Sequence, residues 1–431
     1  MINLRTYLQT QIEQHFPHAH FVIGLSGGVD SVVLLHLFRQ LNVEVRAIHI
    51  HHGLSPNADS WADFCHALCQ RWQIPCVVRK VKVQGEKGVE GNAREARYQA
   101  LGEQIQADEI LVTAHHLDDQ AETFLLALKR GSGVKGLSAM QAVSYRQNLT
   151  LFRPLLGISK ADLINYAKQQ DLLYIQDESN QINDFDRNFL RNEILPALNQ
   201  RWQHFNQMIA RSAQHCAEQQ TLLEELLAEE LNKFADVQRK SLNIAEFPYF
   251  SHAKQKQLIR LWLTRHQIPM PTTAQLQQIL EQLISAKQDK NPQLQLGKIW
   301  LRRYQQRIFL TPTLHDFKHF VATLKPHQSL TLPDNLGQLN HLQTTLSFKK
   351  NGQTTRLNLP TELQQSELTI KLYHSGKVER YQTPQREDIK KLYQQAQIPV
   401  WERARTVLVF TEQKLLYIFS DRHLKDEKFD N

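Results

Sequence analysis

Cysteine is scarce, with four in 431 residues, three of them between positions 65 and 76. So sparse and clustered a set excludes a secreted disulfide framework and points to a reducing compartment, the cytoplasm. Long apolar runs are missing too. No uninterrupted stretch approaches the roughly 18 residues that a membrane span needs, and the first 16 residues carry Arg5, Glu13 and three glutamines instead of an apolar secretory core. No membrane partner is expected. Glycine is absent between positions 158 and 296, although twelve of the sixteen lie at or before position 157. Tight βα turns therefore belong to the front of the chain. Acid is not in excess either: 51 Lys and Arg against 43 Asp and Glu give a formal net charge of +8 and a pI near 9.2. That balance suits a polyanionic partner such as nucleic acid without requiring one.

Across the front, short β-branched runs at 21–25, 43–50, 76–83 and 110–114 alternate with helix-period segments at 31–41, 60–72, 90–106 and 118–129. Strict alternation implies βαβ units and a doubly wound parallel sheet of the α/β class. Residues 197–247 contain neither glycine nor proline, and Trp202, Phe205, Ile209, Leu222, Leu223, Leu226, Leu227 and Leu231 recur at helical spacing. They predict a long linking helix into a mainly helical middle domain, continued by helices at 255–266 and 272–284. Beyond 311, short alternating stretches at 329–332, 368–373 and 407–410 predict a small α+β domain. The expected boundaries are 1–212, 213–310 and 311–431.

Directly after the first strand stands Ser26-Gly27-Gly28-Val29-Asp30-Ser31, opening a helix. Two glycines let the backbone turn sharply and leave its N–H groups uncovered, and the helix N-terminus adds partial positive charge. With the Ser26 and Ser31 hydroxyls, the loop is built to hold phosphate oxygens. Asp30 would repel them unless Mg²⁺ lies between, which makes it a metal-bridging candidate. A plain glycine-rich turn would explain Gly-Gly alone, but not the whole hexapeptide at a strand-to-helix junction. No Gly-x-x-x-x-Gly-Lys-Ser/Thr occurs, so γ-phosphoryl transfer by a P-loop is excluded. Gly131-Ser132-Gly133-Val134-Lys135-Gly136 matches a dinucleotide fingerprint but follows a helix, which is the wrong context.

A second cluster, His115-His116-Leu117-Asp118-Asp119-Gln120-Ala121-Glu122-Thr123, follows the fourth strand. In a doubly wound sheet ligands bind where strand order reverses, and strands one and four are the natural pair around that crevice. Asp119 and Glu122 lie three apart on a helix and can present two carboxylates to an ammonium group. Acids complementing the helix dipole would also account for Asp118 and Asp119. His49-Ile50-His51-His52 lacks a fourth ligand at a usual zinc spacing. Cys65 and Cys69, four apart on an amphipathic helix, read as core thiols. Arg94 and Arg97 sit near the third crossover.

At these residues the sequence resembles the PP-loop (N-type) ATP pyrophosphatases and, within them, the tRNA(Ile)-lysidine synthases. The narrower likeness includes residues 49–55, Ala93-Arg94-Glu95-Ala96-Arg97-Tyr98, 115–123 with Arg130-Gly131-Ser132-Gly133, Arg153-Pro154-Leu155-Leu156, Asp177-Glu178-Ser179-Asn180, residues 186–191, and Lys390-Lys391-Leu392 with 398–403. The resemblance implies a Rossmann-like catalytic domain that uses ATP and Mg²⁺ to adenylate the wobble cytidine of a CAU-anticodon tRNA(Ile) at O2. The ε-amine of L-lysine then displaces AMP. It implies ATP contacts by Ser26, Gly27, Gly28, Val29, Asp30 and Ser31, Mg²⁺ on Asp30, and catalytic roles for Asp30, Arg94, His115 and Asp119. It further implies lysine binding by Asp119 and Glu122, and tRNA binding by Arg187, Asn188, Arg191, Lys390, Lys391 and Arg403. A homodimer is compatible with it.

Related chemistries fit less well. Thiolases of this group carry Lys where Val29 stands and rely on paired cysteines, and no Cys-x-x-Cys occurs here. Ammonia-using relatives need no basic C-terminal region, yet residues 371–391 hold six Lys and Arg against three acids. A non-catalytic RNA-binding scaffold is expected to lose Asp30 or the glycines, and both are intact. In the last domain, Lys377, Arg380, Arg386 and the basic residues above surround Tyr381, Tyr393 and Trp401. That mixture suits the tRNA acceptor end, unless Tyr393 and Trp401 form a small core.

Overall fold

The computed structural model describes residues 2–83, 88–146, 149–286, 290–381 and 383–420. The chain divides into two compact units, Met1–Glu225 and Leu226–Asn431.

The first unit opens with helix α1 (Leu4–His15) and then alternates β1 (His20–Gly24), α2 (Val29–Gln40), β2 (Val45–His51), α3 (Ala58–Arg71), β3 (Cys76–Lys80), α4 (Gly88–Gln104), β4 (Glu109–Val112) and α5 (Leu117–Lys129). These are the four expected βα pairs. A short helix α6 (Val134–Leu137) and an antiparallel pair, β5 (Val143–Arg146) and β6 (Leu149–Phe152), follow, then α7 (Lys160–Gln169). The sheet runs β3-β2-β1-β4-β6-β5. Strand β1 is parallel to β2 on one side, with Phe21 opposite Val45, and to β4 on the other, with Phe21 opposite Ile110. Burial on both faces explains its unbroken apolar run: Phe21, Val22 and Ile23 are almost wholly inaccessible. Because β2 and β4 leave β1 in opposite directions, the connections at its carboxyl end part and open a crevice.

Two short helices, α8 (Asp186–Phe189) and α9 (Leu195–Arg201), flank a π-helical turn at Leu190–Ile194. The expected long helix is α10 (Phe205–Phe234). It starts later than its apolar period suggests because His204 adopts a left-handed backbone, φ 64°.

In the second unit, α11 (His252–Arg265) and α12 (Thr273–Gln278), the latter prolonged by a π-helical turn at Ile279–Ile284, occupy the expected positions. The middle region is not helical alone, however. It also holds a five-stranded antiparallel sheet: β7 (Ala235–Asp236), β8 (Ser241–Asn243), β9 (Gln293–Leu296), β10 (Ile299–Tyr304) and β11 (Arg307–Pro312), in the order β7-β8-β11-β10-β9. Trp262, Leu258 and Leu263 of α11 share one core with Leu301, Ile308 and Leu310 of the sheet. The strands escape a hydrophobic-period reading because Arg302 and Arg303 interrupt it. Arg303, 3% exposed, donates from Nη1 to the carbonyls of Leu283, Ile284 and Ala286, closing the end of the π-helical turn.

The remainder is α+β, as expected. A four-stranded antiparallel meander runs from Ser329–Thr331 to Gln353–Asn358, and a six-stranded sheet includes Leu368–Lys371 and Val407–Thr411. Helix α13 (Ile389–Gln395) packs Ile389, Leu392 and Tyr393 against it. Among the described residues no helix is long and apolar enough to cross a membrane.

Candidate active site

The loop between β1 and α2 closes on itself through its two serines. Ser31 Oγ accepts from the Ser26 and Gly27 N–H groups, each at 3.2 Å, and donates to the Gly28 carbonyl at 3.0 Å. Ser26 Oγ accepts from Gly28 N–H at 3.4 Å. The N–H groups thus converge on hydroxyl oxygens, which phosphate oxygens can replace. Gly27 is fixed by geometry: φ is +88°, and a Cβ there would stand 2.4 Å from Ile175 Cδ1. Its carbonyl accepts from Ile175 N–H at 2.9 Å, anchoring the loop to the segment after α7.

Across the crevice, His116 caps α5. Its Nδ1 accepts from Asp118 N–H at 3.3 Å, and Asp119 Oδ2 returns the bond by accepting from His116 N–H at 3.0 Å. Asp118 is committed elsewhere, accepting from Lys160 N–H at 2.8 Å and from Asn206 Nδ2 at 3.1 Å. Asp119 and Glu122 do share a helix face, and guanidinium groups already hold it. Glu122, fully buried, accepts from Arg187 Nε at 2.7 Å and from Arg191 Nε at 2.6 Å; Arg191 Nη2 reaches Asp119 Oδ1 at 3.3 Å. Arg187 and Arg191, expected on tRNA, therefore turn toward these carboxylates, while Asn188 donates to the Ile182 carbonyl at 2.8 Å. Beside Glu122 and Arg191 lies a cavity of about 480 Å³, also lined by Asp118, Asp162, Asn199 and Leu195.

No local pattern in the sequence marks Lys160. At the first position of α7, its Nζ donates to both Asp30 oxygens at 2.7 and 2.6 Å. His116 Nε2 lies 3.7 Å from the same carboxylate. Only the spacing of Lys160 from Ser159, the α7 cap, was visible in the sequence, and that says nothing of a partner 130 residues earlier.

His115 accepts or donates at Nδ1 to Thr113 Oγ1, 2.8 Å away. Burial, opposed by Asp119 and reinforced by Arg153, Arg187 and Arg94, pushes its imidazole down to about 3. His116 moves the other way: burial disfavours its charge, but Asp118, Asp119 and Asp30 together outweigh that and raise it. His115 is therefore neutral at physiological pH. A ¹⁵N difference spectrum of the wild type against His115→Gln should show no imidazole titration between pH 5 and 8, and a midpoint near 6.5 would contradict the burial. Because its folded value is depressed, His115 contributes stability that is present above pH 6.5 and lost as the pH falls toward 3.

The other motif residues scatter. His49 Nδ1 contacts the Leu25 carbonyl, His51 contacts Asp59, and Arg97 Nε donates to His52 Nε2. The three imidazoles have different partners and share no metal position. Arg94 is exposed at α4, its guanidinium 5.9 Å from the Tyr98 ring. Cys65 and Cys69 are buried, as expected of core thiols. In the second unit Lys390 and Lys391 are exposed on α13, Lys391 pairing with Glu387 at 3.0 Å. Arg403 lies 5.6 Å over the ring of Tyr393, which is 1% exposed. Trp401 packs on Tyr304 and Phe309, at 6.3 and 5.7 Å between centroids. Tyr393 is core, and Trp401 is half-buried against its two ring neighbours.

A largely parallel sheet with a Ser-Gly-Gly loop and an acidic helix at its switch point has the architecture of a PP-loop nucleotide-binding enzyme, and residues 3–198 match the PP-loop domain family. Residues 242–309 match the TilS substrate binding domain and residues 368–426 the TilS substrate C-terminal domain. The chain is 59% identical to a tRNA(Ile)-lysidine synthase of Actinobacillus pleuropneumoniae serotype 3, over 95% of this chain and 98% of that protein. It is 57% identical to that of Haemophilus ducreyi, over 96% and 97%, and 47% identical to that of Histophilus somni, over 95% and 96%. The chain belongs to the tRNA(Ile)-lysidine synthase family.

Proposed function

We propose that this protein adenylates the wobble cytidine of a CAU-anticodon tRNA(Ile) with ATP and then joins L-lysine to it, forming lysidine. The observation that carries the reading is the meeting of two sites at one switch point: the phosphate loop after β1 and the carboxylate pair of α5 after β4. In the first step cytidine O2 attacks the α-phosphorus and pyrophosphate leaves. In the second the lysine ε-nitrogen bonds to C2, and O2 departs with AMP.

The loop residues 26–31 hold the phosphates by exchanging the Ser26 and Ser31 hydroxyl contacts for phosphate oxygens. Asp30 suits a divalent cation, since it is a hard oxygen donor at the loop mouth and already holds a cationic group, Lys160 Nζ. Mg²⁺ bound there would neutralise charge on the departing pyrophosphate. Asp119 and Glu122 take the lysine amine, with the adjoining cavity accommodating the rest of the amino acid; Arg187 and Arg191 hold both carboxylates until it arrives. Neutral His115 can accept a hydrogen bond from the incoming amine. Arg94 faces the nucleotide or the adenylated base. The direct test is pyrophosphate release from ATP with tRNA and lysine supplied separately and together. Release that is independent of tRNA would overturn the reading.

Lys390, Lys391 and Arg403 are assigned to the tRNA backbone. The check must use the full chain, because ending it near position 310 would strip Trp401 from Tyr304 and Phe309. Reversing charge with K390E and K391E should weaken tRNA binding about tenfold and reduce its salt dependence, with ATP binding unchanged. Unaltered tRNA affinity in filter-binding titrations would remove these residues from the interface.

A further inference from the structure

We infer that Lys160 is a pyrophosphate-binding residue of this site: its ammonium holds Asp30 in the ligand-free protein and moves onto the β- and γ-phosphate oxygens when nucleotide binds. The inference rests on the reading of residues 26–31 as a phosphate loop. That loop contains no cation of its own. A polyphosphate carrying several negative charges needs one, particularly next to a carboxylate. Lys160 Nζ stands at the loop mouth, within 2.7 Å of both Asp30 oxygens.

The anchoring of Lys160 suits such a transfer. Its backbone is fixed, with the N–H on Asp118 Oδ2 at 2.8 Å and the preceding Ser159 capping α7 through Asp162 N–H. Its side chain is only partly covered, 37% exposed, and carries three donors on a flexible stem. The head can therefore swing while the helix stays in place. Asp30 is not abandoned by the move, because His116 Nε2 remains 3.7 Å away. A purely structural Asp30–Lys160 pair would instead hold α2 against α7 and leave phosphate affinity untouched.

Calorimetric titration separates the two, using inorganic pyrophosphate, ATP and AMP as ligands, with EDTA and again with Mg²⁺. Lys160→Met should bind pyrophosphate and ATP about 10- to 100-fold more weakly than the wild type. AMP, which lacks the β- and γ-phosphates, should bind within twofold of wild type, and Lys160→Arg should recover most of the pyrophosphate affinity. The loss should be larger in EDTA, where no other mobile cation serves the phosphates. Wild-type pyrophosphate affinity in Lys160→Met, or equal losses for AMP and pyrophosphate, would overturn the inference. A wild-type protein that binds neither ATP nor pyrophosphate in either buffer would overturn the phosphate-loop reading itself, and this inference with it.

Discussion

Asp30→Ala is expected to reduce pyrophosphate release from ATP, in the presence of tRNA and lysine, by about 10³-fold or more. The carboxylate is the one acidic group of the loop, and its loss removes the anchor for a bridging cation. It also frees Lys160 and His116 from the partner that aims them at the loop mouth. The fold should survive. Asp30 and Lys160 are 27% and 37% exposed at their side chains, and a pair so open to solvent contributes about 1 kcal/mol or less. A variant that melts near the wild-type temperature and releases no pyrophosphate is the predicted result. A well-folded variant with near-normal release would show that Asp30 has no part in the chemistry.

Glu122→Gln should act on stability and on lysine together. Glu122 is fully buried, and both of its oxygens accept from guanidinium groups. Removing its charge leaves Arg187 and Arg191 under-compensated. The cost should be about 2–3 kcal/mol, toward the low end for a broken ion pair because the arginine side chains remain 21% and 36% exposed. The same change should raise the KM for lysine by at least about tenfold while altering the KM for ATP little. Asp119→Asn should shift the lysine KM in the same direction with a smaller loss of stability, since Asp119 keeps its cap bond through an amide oxygen. Equal effects on both substrates would place the carboxylates on the wrong ligand; denaturant melts run beside the kinetics separate folding loss from binding loss.

Much of the site was legible because its signals are local. A strand, a Ser-Gly-Gly turn and a helix start are contiguous, so residues 26–31 announce both their conformation and their electrostatics. Asp119 and Glu122 share a face because helix geometry places residues three apart together. What occupies that face was not legible. Arg187 and Arg191 are 65 or more residues away, and a sequence pattern does not show whether an arginine seeks a carboxylate or a phosphate. The role of Lys160 is hidden from the sequence for the same reason. Its backbone N–H serves Asp118 and its ammonium serves Asp30, contacts that exist only once the segment after β6 returns to the switch point.

By itself the sequence determined the alternation of strands and helices in the first unit, the parallel sheet, the flanking of one crevice by β1 and β4, and the positions of α11 and α12. These follow from backbone period and turn chemistry, which act within a few residues. Tertiary structure decided the rest. It inserted a five-stranded sheet where buried Arg302 and Arg303 break the apolar alternation, and it buried Tyr393 and packed Trp401 against Tyr304 and Phe309. It depressed His115 by burial among arginines, and it set a cation on every carboxylate that the substrates are proposed to claim. Burial and charge pairing are sums over neighbours brought together by the whole fold, so no local stretch of sequence encodes them.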